Sequence, residues 1–212
     1  MFANLEDFFK AIADTQYVVL RNYEEFDNLQ FLTSHPDIDI LCQKPQILVK
    51  RLSLQPRRRK EDGIHYYAVI HDTKVAVDLR HVGDGYLDSV WESRILQERV
   101  LQDGFFVMDP VNYFYSLLYH VIIQKNVVAP DYVTRLENMA KALNISYSLK
   151  NGAALLDTYI DSHGYHYTYP EYAGTIFNTK QVRRDLVEKN TIMQLKRLVF
   201  MTAKKTIKRI KG

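Results

Sequence analysis

The spacing of hydrophobic positions changes character near the middle of the chain. Up to Met108, short period-two runs are interspersed with helical ones; from Asp109 onward the spacing is helical. Phe2, Leu5, Phe8, Phe9 and Ile12 predict an amphipathic helix, and Tyr17-Val18-Val19-Leu20 a first strand. Arg21-Asn22-Tyr23 begins a loop or a second short helix. A second strand, Asp37-Ile38-Asp39-Ile40-Leu41, follows Pro36. Gln46 to Leu54 reads as a helix behind Pro45, and Arg57-Arg58-Arg59-Lys60 as a solvated loop. A hairpin follows, with strands from His65 to His71 and from Lys74 to Arg80 and its turn at Asp72-Thr73. Gly83-Asp84-Gly85 ends it. A helix around Trp91 and a strand from Phe105 to Met108 close this half.

Asp109-Pro110 is a helix start, with the carboxylate as cap and proline in the first turn. Pro110 to Lys125 is apolar on nearly every face and predicts a buried central helix. Asp131 to Leu143, Gly152 to Asp161 and Lys180 to Ile210 are further helices, with a Tyr- and His-rich loop from His163 to Tyr172. The predicted class is α+β. A small mixed sheet with flanking helices occupies residues 1–108, and a helical domain occupies 109–212.

Composition changes this picture little. The chain has 212 residues, 47% hydrophobic and 25% charged, ordinary proportions for a globular protein. Fifteen tyrosines mean that several buried hydroxyls need partners. The single cysteine, Cys42, excludes an internal disulfide and a cysteine-based metal cluster, and reads as a small buried hydrophobe. Together with an acidic start and no apolar run of membrane-spanning length, it predicts a reducing, cytoplasmic setting. A net charge of +3 is too small to argue nucleic-acid binding, but its distribution is uneven. From Lys180 to Lys211, ten basic side chains beyond Lys180 face only Asp185 and Glu188. This tail either packs its apolar stripe on the helical domain or lies on an anionic membrane. Nucleic acid is the weaker alternative, because few aromatics accompany the charges.

The candidate chemistry lies in the second strand. Asp37 and Asp39 alternate with Ile38 and Ile40, so both carboxylates point to one face while the isoleucines enter the core. Adjacent like charges cost free energy, and a hard divalent cation with oxygen ligands, Mg²⁺ or Mn²⁺, would account for them. Asp78 sits between Val77 and Leu79 in the same alternation. If its strand lies beside the second strand, three carboxylates converge where a cation could bridge a triphosphate.

This arrangement resembles the nucleotidyltransferase superfamily related to DNA polymerase beta: a strand, a turn, Asp-hydrophobic-Asp-hydrophobic, then a third Asp between hydrophobic residues. The resemblance covers the first half of the chain. It implies metal ligation by Asp37, Asp39 and Asp78, and transfer of a nucleoside monophosphate from an NTP to a hydroxyl or phosphate acceptor. The acceptor class would be a small molecule, sugar or polysaccharide precursor. The family's Gly-Gly or Gly-Ser turn after the first strand is replaced by Arg21-Asn22. Arg21 would bind phosphate in its place, and Asn22 would contact ligand or cap the next helix. Arg80, two residues from Asp78, would contact phosphate or neutralise the carboxylates. Lys125, near the end of the central helix, would contact the nucleotide, whereas His120 is expected to be a core residue. Two rival readings are a phospho-alcohol transferase using a CDP-linked donor, and a catalytically inactive nucleotidyltransferase scaffold. No P-loop, Rossmann fingerprint, zinc-ligand spacing or nucleophile elbow is present.

Overall fold

A computed structural model describes residues 1–26, 37–57 and 62–211. His35, Pro36 and the run Arg58-Arg59-Lys60 lie outside the described residues. The fold is α+β. Its elements are α1 (Leu5–Lys10), β1 (Tyr17–Val19), β2 (Asp37–Cys42), α2 (Pro45–Arg51), β3 (Gln55–Pro56), β4 (His65–Ile70) and β5 (Thr73–His81). They continue as α3 (Ser89–Gln97), β6 (Val100–Gln102), β7 (Phe105–Val107), α4 (Pro110–Ile123), α5 (Pro130–Ala142), α6 (Gly152–Ser162) and α7 (Thr191–Lys211). Two compact units share the chain: residues 1–82 with 90–113, and residues 83–89 with 114–212. The chain passes between them just after β5, at the first residue of α3 and again inside the first turn of α4.

The first unit is built on a seven-stranded mixed sheet in the order β3-β4-β5-β2-β1-β7-β6. β2 runs antiparallel to β1 and parallel to β5. Its inward residues explain why it is central: Ile38, Ile40 and Cys42 are fully buried. Cys42 packs as the small hydrophobe its position suggested, and its thiol donates to the Arg80 carbonyl at 3.3 Å. Phe9 anchors α1 in an aromatic cluster, stacked on Tyr17, Phe26 and Phe105 at centroid distances of 6.1, 5.8 and 4.8 Å. Trp91 is fully buried, and its indole N–H donates to Asn112 Oδ1 at 2.7 Å.

Several boundaries differ from the sequence expectation. α1 is shorter than the apolar spacing suggested, because Asn4 caps it at Asp7 N (2.8 Å) and Phe2 pairs in extended form with the hairpin. The hairpin turn falls on His71-Asp72, both with positive φ (47° and 57°), one residue before the expected Asp72-Thr73. A β-branched threonine disfavours that left-handed conformation, whereas Asp and His tolerate it. The strand β6 was not expected. It is exposed throughout and lacks alternation, but Asp103-Gly104, at φ 50° and 89°, is the two-residue turn that joins it to β7.

At the end of the first unit, Asp109 caps α4 as its position next to Pro110 required, accepting from Val111 N and Asn112 N at 3.0 and 3.1 Å. In the second unit, the later turns of α4 pack on α6. Tyr115 of α4 stacks on Tyr159 of α6 at 3.7 Å. The Tyr167 hydroxyl donates to Asp157 at 2.8 Å. The long helix expected from Lys180 begins instead at Thr191. Before it, the chain is held in other bonds: Asp157 accepts the Arg183 backbone N–H at 3.1 Å, and Glu188 N donates to the Tyr167 carbonyl at 3.0 Å. Asn190 then caps the helix through Met193 N at 3.0 Å.

Two glycines of the Gly-Asp-Gly segment differ in a testable way. Both have positive φ, 90° at Gly83 and 72° at Gly85. A Cβ at Gly83 would meet open space, whereas one at Gly85 would collide with the Tyr169 carbonyl and lie 3.2 Å from Pro170 Cα. Gly83→Ala should therefore cost only the left-handed penalty of about 1–2 kcal/mol. Gly85→Ala should cost more than about 3 kcal/mol, since backbone collision adds to that strain. Urea denaturation followed by circular dichroism measures both, and equal losses would contradict the packing described.

Candidate metal and phosphate site

The site is assembled by strand register. In the parallel pair β2–β5, Asp39 lies opposite Asp78, with Asp37 opposite Ala76 and Leu41 opposite Arg80. In-register neighbours share a face and stand about 4.8 Å apart between strands. Asp39 and Asp78 are thus side by side. Asp37 is one pleat away on one side, beside the small Ala76, and Arg80 one pleat away on the other. β4 adds His65 opposite Asp78, giving a row His65–Asp78–Asp39 across three strands.

The chain's own cations answer these charges. Leu20 N donates to the Asp39 carbonyl at 2.8 Å, which carries the end of β1 to the site. The next residue, Arg21, places Nη2 3.0 Å from Asp39 Oδ1, with side chains 14% and 6% exposed. Asn22 then takes φ 61°, the left-handed conformation that asparagine tolerates best among residues with a side chain. Asn22 thus makes the left-handed turn that follows β1. Asn22 occupies the position before a short 3₁₀ turn at Tyr23–Glu25 and does not cap it with its side chain.

Two groups outside the expected set also reach the carboxylates. Arg57 Nη1 lies 3.3 Å from Asp78 Oδ1, although the arginine run suggested only a solvated loop. His65 Nε2 stands 4.0 Å from Asp78 Oδ2, while its Nδ1 is 2.7 Å from Asp62 Oδ2. Asp62 also accepts the backbone N–H groups of Ile64 and His65 at 3.2 and 2.9 Å. Burial pushes the Asp62 carboxyl up, but these bonds outweigh it and hold it below the ordinary value. The Asp-x-x-His spacing ahead of a strand was the available sequence signal for this pair.

The carboxylates are electrostatically linked. Burial, followed by the charges of Asp39 and Asp78, pushes Asp37 up to about 6 against the opposing pull of Arg21 and Arg57. Burial and then Asp39 raise Asp78, while His65, Arg57 and Arg80 pull it down. Asp37 Oδ1 is buried and has no hydrogen-bond partner among the described residues. A buried carboxylate oxygen without a donor is costly, and a cation with oxygen ligands would satisfy it. As arranged, no group of three or more His, Cys, Asp or Glu among the described residues is disposed to hold a metal ion. Asp37, Asp39 and Asp78 are the oxygen donors that would hold such a cation, which would have to displace Arg21 from Asp39 and Arg57 from Asp78.

The sheet therefore brings together Arg21, Asp37, Asp39, Asp78 and Arg80, with Arg80 7% exposed on the Asp78 face. Lys125 belongs to the second unit, its Nζ 5.7 Å from the centre of the Tyr132 ring. His120 is a core residue of that unit, with Nδ1 2.9 Å from Gln124 Oε1. Asp84 is 1% exposed and accepts Tyr86 N at 2.8 Å. No family model matches the chain, and neither a curated protein nor a solved structure does.

The raised Asp37 carboxyl has a direct consequence for stability. Between about pH 4, where an unfolded aspartate titrates, and the folded value of about 6, the folded protein holds a proton that the unfolded chain does not. Protonated Asp37 thus favours folding, and that contribution is lost as pH rises through 6. Asp37→Asn removes the loss. The melting temperature of the wild type should fall relative to the variant as pH rises from 4 to 7, and parallel curves would contradict the placement of the three carboxylates.

Proposed function

We propose that the protein is a Mg²⁺-dependent nucleotidyltransferase that moves a nucleoside monophosphate from an NTP to an acceptor hydroxyl or phosphate. One observation carries this reading: Asp37, Asp39 and Asp78 share one sheet face, with Asp39 and Asp78 in register. The electrostatic linkage and the unsatisfied Asp37 oxygen support it further. Magnesium, when bound, would neutralise phosphate charge and lower the pKa of the attacking hydroxyl. The acceptor oxygen attacks the α-phosphorus, the bond to the β-phosphate oxygen breaks, and pyrophosphate leaves with its electron pair. Asp37, Asp39 and Asp78 would hold the metal. Asp78, raised by burial, suits a base that takes the hydroxyl proton. Arg21, released from Asp39, exchanges a carboxylate for phosphate oxygens, to which its planar fork donates in the same way.

A second reading is a scaffold of this type without catalysis. It is favoured by Arg21 and Arg57, which already neutralise Asp39 and Asp78. Calorimetric titration of each of the four NTPs, with and without Mg²⁺, separates the two. The catalytic reading expects at least one NTP to bind only with the metal. It also expects a loss of affinity of about tenfold or more in Asp37→Asn and in Asp78→Asn, as for removal of a metal ligand. Binding that ignores both the metal and the substitutions, or no binding of any NTP, would overturn it.

A further inference from the structure

The second unit carries a surface that the sheet chemistry does not use. α7 is a helix of 21 residues, about 32 Å long. Its first half exposes Ile192, Leu195, Leu198, Val199 and Phe200, at 69, 62, 65, 62 and 37%. Ile192, Leu195 and Val199 recur at i, i+3 and i+7 and form one stripe. The opposite flank is the one held down: Met193 and Arg197 are half-buried, and Arg197 Nη2 donates to the Thr175 carbonyl at 2.7 Å with its guanidinium over Phe177. The apolar stripe thus faces away from its own unit's anchor. The packed alternative raised by the sequence does not hold for these residues.

The charge of the helix selects the occupant. Lys196, Arg197, Lys204, Lys205, Lys208, Arg209 and Lys211 are not opposed by any Asp or Glu between Thr191 and Lys211. A partner must therefore offer negative charge and an apolar floor together. We propose that α7 docks the protein on an anionic lipid surface, lying in the headgroup region with Ile192, Leu195 and Val199 turned toward the acyl chains. Among the described residues no helix is long and apolar enough to cross a membrane, so the contact is interfacial. A nucleic acid would meet the charge but give the aliphatic stripe nothing to bury against, and Phe200 is the single aromatic side chain in the helix. This inference does not depend on the sheet site.

Sedimentation of the full chain with phosphatidylcholine vesicles, with and without phosphatidylglycerol, tests it. Binding is expected only to the anionic vesicles and should weaken as salt rises. The double variant Leu195→Glu with Val199→Glu alters exposed positions only. It should retain the wild-type circular dichroism spectrum and lose vesicle affinity by about tenfold or more. Failure to sediment with anionic vesicles, equal binding to neutral ones, or unchanged binding by the variant would overturn the proposal. So would binding to a nucleic-acid duplex with none to vesicles.

Discussion

Parallel pairing of β2 with β5 is the constraint on which the candidate site depends. That register places Asp39 against Asp78 and leaves Asp37 one pleat away. The same alternation sends Ile38, Ile40, Val77 and Leu79 into the core. The apolar half of each strand makes the register costly to shift, since a one-residue slip would drive the carboxylates into the apolar core and take Asp39 away from Arg21. Core packing thus forces like charges together. Arg21 and Arg57 offset part of the repulsion, and the remainder appears in the raised carboxyls of Asp37 and Asp78.

The charge balance also explains why one site supports both a catalytic and a scaffold reading. A guanidinium on a buried carboxylate such as Asp39 is a stable resting arrangement, because removing it would leave a buried charge unanswered. In the proposed reaction the same guanidinium would turn to phosphate oxygens once a cation had replaced it. Arg21 is well placed for such an exchange, since it follows directly on the strand bonded to Asp39 and precedes the left-handed turn at Asn22. The turn residue lacks the freedom of glycine but reaches the same backbone region.

Local patterns were legible in the sequence, and non-local ones were not. Alternation around Asp37–Leu41 and Val77–Leu79 announced buried strands with carboxylates on one face. Asp109-Pro110 announced a helix start, and the capping bonds agree. Parallel pairing of β2 with β5 joins segments separated by α2, β3 and β4, and no local signal specifies it. Arg57 was hidden by its own neighbours, because a basic run reads as solvent-facing whatever one member touches. α7 starts later than its periodicity predicts for a similar reason: side-chain and backbone partners at Asp157 and Tyr167 override helical propensity before Thr191.

The convergence of three carboxylates is the claim beneath the rest. Carbon-13 NMR titration of the aspartate carboxyls, without metal and then with Mg²⁺, tests it most directly. The account predicts that Asp37 titrates near 6 in the metal-free protein and that Mg²⁺ lowers its midpoint, with chemical-shift changes at Asp39 and Asp78. An Asp37 that titrates like an ordinary exposed aspartate, with none of the three responding to Mg²⁺, would contradict it.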